Sequence, residues 1–129
     1  VIGQETPEKI MTELDQEIIP FLYEPVPDDP AVIEARGSQL QSYMARLSKM
    51  LTDAKYYQDH AIVSHARESK KEVPSTVMNS FVKAKCANEN YLATLIESLL
   101  KKCYAENDWL RTLLSKAKEE IKVNQQNRN

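Results

Sequence analysis

The sequence contains two glycines, Gly3 and Gly37, and that scarcity removes whole classes of function. Walker and dinucleotide-binding loops need several glycines close together so that the backbone can approach phosphate, and neither loop is encoded. The G-x-S-x-G nucleophile elbow is missing as well. No run approaches the roughly 18 uninterrupted apolar residues of a membrane span, and the opening VIGQETPEKI lacks the basic and apolar regions of a signal peptide. The expectation is therefore a soluble cytoplasmic protein without membrane contact. Histidine is also sparse. His60 and His65 stand five residues apart, about 140° around a helix, so one helix cannot present both to a metal ion, and no Glu-x-x-His pair occurs. Cysteine is limited to Cys86 and Cys103, which would lie about 25 Å apart on one straight helix, too far to bridge. Free thiols suit a reducing compartment, although a bond between chains is left open. These absences predict no catalytic residue, no metal and no cofactor.

What is present is helical composition: 129 residues, 42% hydrophobic and 28% charged, rich in Leu, Ala, Lys and Glu. That length suits one domain with one core. A first helix over 6–23 starts with the Thr6 cap and Pro7, and carries Ile10, Leu14, Ile18 and Leu22. Pro20 should end it near Ile19 or kink it. EPVPDDP, 24–30, is a stiff linker. Asp29 and Pro30 repeat the start signal, and a long helix follows over 30–70. In it Ile33, Leu40, Leu47, Ala54 and Ala61 recur every seven residues, a coiled-coil spacing. KKEVPST, 70–76, turns the chain, and Ser75 is the expected cap of a short helix over 75–86 bearing Val77, Met78, Phe81 and Val82. After a break near Cys86–Asn88, with Asn88 as a candidate cap, a second long helix runs over 88–122, and a frayed polar tail over 123–129. The fold class expected is all-α: an elongated antiparallel helical hairpin or bundle of two long helices and two short ones.

The last helix carries an apolar arc of about half its circumference, too wide for one neighbour. The first helix, the third helix or a second chain could cover it; a homodimeric bundle is favoured, with the first helix folded across the hairpin of one chain as the competing arrangement. Glu106 projects onto this arc with Asn107 at its edge. A lone polar residue in an apolar stripe most often fixes register, and it tolerates burial only with a partner such as Tyr57, Lys55 or Arg46. His65, on the apolar side of its helix, is a second such residue. Cys103 should be buried and inert, with Cys86 closer to a helix start.

Charge is unevenly spread. Residues 1–69 hold 6 Lys+Arg against 12 Asp+Glu, whereas residues 70–129 hold 11 against 7. Lys83, Lys85, Lys101, Lys102, Lys116 and Lys118, with aromatic rings nearby, are candidate nucleic-acid contacts, but they are mixed with acids and point around the helix in several directions.

Three phrases, TDAKYYQDHA (52–61), KAKCANENYL (83–92) and DWLRTLLSKAKEEI (108–121), resemble small helical proteins carried by phages and prophages of gut bacteria. The resemblance implies a phage accessory role and supplies no active site. Arg111 and Ser115 are its matching polar residues; together with Trp109 and Tyr91, read from the flank of the apolar arc, they are the candidate interaction surface. The functional expectation is a non-enzymatic oligomeric helical protein that mediates protein–protein interaction, with an unknown protein partner; the alternative is a protein contacting nucleic acid through its basic second half.

Overall fold

The computed structural model describes residues 4–127. All its regular elements are helical: α1 (Pro7–Glu13), a π-helical segment (Leu14–Ile18), α2 (Ile19–Leu22), α3 (Pro30–Ser69), α4 (Met78–Lys85) and α5 (Ala87–Asn127). The expected two long and two short helices are all present, the first short one being the continuous run Pro7 to Leu22.

The local reasons are largely those in the sequence. Thr6 accepts a hydrogen bond from the Lys9 amide at 3.3 Å, and Asp29 accepts one from the Ala31 amide at 2.9 Å, each satisfying a first-turn donor ahead of a proline that has none to lose. Pro20 does not end the first helix. The preceding turn widens instead, with the Ile19 amide donating to the Leu14 carbonyl, and a π turn absorbs a ring that a regular α turn would reject. Leu14 and Ile18, at the two ends of that turn, both remain fully buried.

Cross-helix contacts set the topology. Gln58 bonds Asn90 at 2.6 Å, Lys55 pairs with Glu97 at 3.5 Å, and Glu34 pairs with Lys118 at 3.6 Å, so α3 and α5 run antiparallel. The first helix also runs antiparallel to α3: Glu5 and Glu13 meet Arg46, while Phe21 lies 4.8 Å from the Tyr43 ring. Its four buried residues, Ile10, Leu14, Ile18 and Leu22, join Ile33, Leu40, Leu47 and Met50 of α3 and Leu92, Ile96 and Cys103 of α5 in one core. The centre of the wide α5 arc is thus packed against α3 and the first helix of the same chain. The first helix is folded across the hairpin of its own chain, while Tyr91, Tyr104, Trp109 and Ile121 on the flanks of the arc stay exposed.

Three boundaries differ from expectation. Ser75 does not cap α4; Val77 precedes it without a side-chain cap, and the helix starts at Met78. The break before α5 narrows to Cys86, leaving Asn88 inside the helix, because the Asn90 amide already bonds the Cys86 carbonyl at 2.9 Å. Finally, α5 continues to Asn127, so residues 123–127 of the expected tail are helical, while 128–129 lie outside the described residues. Ile121 and Val123, near this end of α5, are exposed.

Candidate interaction site

Four places gather polar or aromatic side chains. The first is the interruption at Glu106. Its carboxylate binds the Arg36 guanidinium at 2.8 Å, and the two side chains are 16% and 7% exposed. Arg36 also stacks on Phe21, its guanidinium carbon 3.8 Å from the ring centre, and reaches Glu24 at 3.7 Å. The expected partners of Glu106 are all employed elsewhere: Arg46 with Glu5 and Glu13, Lys55 with Glu97, and Tyr57 in a groove described below. Arg36 was legible in principle. It stands three residues after Ile33 and four before Leu40, a charge inside the α3 stripe that answers the charge inside the α5 stripe. The pair bridges α3 and α5, with the buried Arg36 Nε and Glu106 Oε2 left without a hydrogen bond, a desolvation cost that offsets part of its attraction.

Asn107 is half-buried beside it, lining a shallow hollow with Ile33, Gly37 and Arg111. The His65 ring is half-buried, with its Nδ1 3.7 Å from the carboxylate of Glu68 on the same helix.

The second place is an ionic cluster at the start of the chain. Arg46 holds Glu13 at 2.6 Å and Glu5 at 2.5 Å, the Glu5 amide donates to Asp53 at 3.2 Å, and Asp53 also pairs with Lys49. The bond from Arg46 holds Glu5 below the usual carboxylate range and, with Glu13, raises Arg46. Burial pushes Asp53 upward, yet the Lys49 bond and the Glu5 amide outweigh it and leave Asp53 lowered. Glu5 and Glu13 thereby fasten the start of the first helix to α3.

The third place is an open groove of about 420 Å³ where that helix begins. Pro7 and Met11 form one wall, Ala54 and Tyr57 of α3 the floor, and Asn88, Tyr91 and Leu92 of α5 the other wall. Helix α1 begins at Pro7, and the groove beside it is largely apolar, with Glu8 and Glu89 also in its lining. Tyr91 is 63% exposed.

The fourth is the outer flank of α5. Trp109 is 59% exposed and borders a hollow with Val26 and Leu113, and Lys102 lies 3.7 Å over the ring of Tyr23, itself 70% exposed. Arg111 and Ser115 are exposed on the far side of the helix from Trp109, so the structure does not bring the four candidate surface residues together. The lysines are dispersed as well. Lys83 and Lys85 sit on α4, Lys85 near the Phe81 ring; Lys116 and Lys118 point about 160° apart on α5, and Lys118 engages Glu34.

Burial pushes the Cys103 thiol up to about 11 and raises Cys86 too, so neither is a ready nucleophile. Among the described residues, no group of three or more His, Cys, Asp or Glu is placed to hold a metal ion, and no helix is long and apolar enough to cross a membrane. Compared with protein-family models, with curated proteins and with solved structures, this chain has no match.

Proposed function

We propose that this chain is a non-enzymatic, oligomeric helical protein whose exposed faces mediate protein–protein interaction, as an accessory factor of the kind its phage-like phrases suggest. One observation carries the reading: an open, largely apolar groove with an exposed aromatic wall lies beside the start of the first helix, between α3 and α5. An apolar helix face or extended segment would continue the track that Ile10, Leu14 and Ile18 already occupy. Tyrosine at such a position combines a large contact area with a hydrogen-bonding tip, the usual chemistry of an interface anchor.

The test is purification of the tagged protein from its native cells at low and high salt, with and without nuclease, beside light scattering of the pure chain. A protein retained at high salt and lost in Tyr91→Asp, with an unchanged melting temperature, supports the reading; Tyr91 is exposed enough that the substitution leaves folding intact. Nucleic acid retained only at low salt would transfer the function to the lysines of α4 and α5.

A further inference from the structure

We infer that the outer flank of α5 is a self-complementary surface that pairs with the same flank of a second copy, antiparallel, about a two-fold axis at Ala105. The inference rests on the oligomeric reading above and names the partner and the register. At 100° per residue, Tyr91, Ser98, Lys102, Ala105, Trp109 and Lys116 fall within about 60° of one another, on the side of α5 turned away from the core. Small residues at 98 and 105 alternate with large ones at 91 and 109, so two such helices can approach closely between their rings.

The charges decide the direction. In an antiparallel pair centred on Ala105, position i meets position 210 minus i of the other chain, to within about one residue. Lys101 then meets Asp108 of the second copy on one side of the seam, and Lys102 meets Trp109, a cation over an indole ring. Two-fold symmetry repeats each contact. Lys101 and Asp108 lie within about 20° of each other around the helix, so the pairing joins groups on the same edge, as antiparallel geometry requires. A parallel pair would set Lys101 against Lys101 and Asp108 against Asp108. Tyr23, under Lys102, borders the same seam and extends its aromatic surface.

The size of the contact sets its strength. An overlap from Tyr91 to Glu119 is about 42 Å long, and at a helix width of about 12 Å it covers about 500 Å² per chain, near the lower bound for a specific interface. The dimer is therefore weak, forming at micromolar concentrations and above.

Both natural thiols are fully buried, so an introduced cysteine is the one accessible to an oxidant. Ala105→Cys, on the axis, should yield a covalent dimer under mild oxidation. Ser98→Cys and Thr112→Cys should each cross-link poorly alone and efficiently when mixed, since they face one another. Lys101→Glu and Asp108→Lys should each weaken the dimer about five- to tenfold by sedimentation, and the double variant should restore it. The fluorescence of Trp109, the single tryptophan, should shift to the blue as concentration rises. A dimer in solution with no Ala105→Cys cross-link and no charge-swap rescue would overturn this interface and leave the oligomeric reading standing. A chain monomeric up to millimolar concentration overturns both. A Trp109 shift that needs added nucleic acid or another protein assigns the flank to that occupant and overturns the pairing.

Discussion

Helix α3 passes through two regions of unlike construction. From Ile33 to Ala54 it lies under the first helix and beside α5, and Ile33, Leu40, Leu47, Met50 and Ala54 are all almost completely buried. Beyond Ala54 the first helix is gone. Ala61 keeps the seven-residue spacing yet is half-buried, and Tyr56, Ile62 and Val63 are exposed. One helix, with one repeat, is core in its first half and, where α4 replaces the first helix beside it, only partly buried in its second. Periodicity places residues on a face; what occupies the other side decides whether that face is dry.

The largest expected effect tests this contrast directly. Leu47→Ala, in the covered region, should cost about 2–5 kcal/mol, because the neighbouring side chains of three helices cannot all collapse into the space left. Val63→Ala, sixteen residues further along the same helix and half-exposed, should stay within about 0.5 kcal/mol. Urea melts of the two variants supply the comparison, and equal losses would mean that the distal end is packed against something in solution. Glu106→Ala should fall next, at about 3 kcal/mol, since it leaves the Arg36 guanidinium in the core without its carboxylate. Replacing both Arg36 and Glu106 by leucine should recover most of that loss.

How much of this could be read from residues follows the same divide. The caps at Thr6 and Asp29, the two long helices and the proline linker are local in origin, and local signals are written in sequence. The pairing of Glu106 was only half legible. Its need for a partner follows from burial, but choosing Arg36 over Arg46 depends on the axial offset of α3 and α5, which is set by side chains along their whole length. Pro20 misled for a related reason. Its ring forbids a regular α turn, but burial of Leu14 and Ile18 on the same face favours a π turn over termination. The groove at Tyr91 depends on where another helix starts, and no residue near Tyr91 records it.

Alkaline pH offers a smaller effect confined to the covered region. Cys103 rises from an ordinary 9.0 to about 11 when the chain folds. A raised acid favours the folded state while protonated, so its contribution is whole below pH 9 and declines as pH climbs from 9 to 11, by at most about 3 kcal/mol in total. Cys103→Ala should flatten that decline in a pH series of urea melts. The same burial predicts that a thiol reagent at neutral pH modifies neither cysteine until the protein is unfolded.

The smallest effect lies at the seam between the two regions, where Glu5, Glu13 and Asp53 fasten the start of the first helix. Glu5 and Asp53 are both held below their ordinary values of 4.5 and 3.8. A lowered carboxyl stabilises the fold while ionised. Its contribution is whole above the unfolded value and is lost as pH falls through the folded one, so the fastening should weaken below about pH 4.5. The expected readout is local, because Ile10, Leu14 and Ile18 remain buried by apolar contacts that do not titrate. Hydrogen exchange should therefore quicken first in residues 7–13, while the middle of α3 and α5 stays protected. Arg46→Gln should reproduce that local opening at neutral pH and blunt its further response to acid. Opening that spread to Leu40 and Leu99 at the same pH would mean that the covered region melts as one unit, and that its boundary with the bare end is a difference of packing alone.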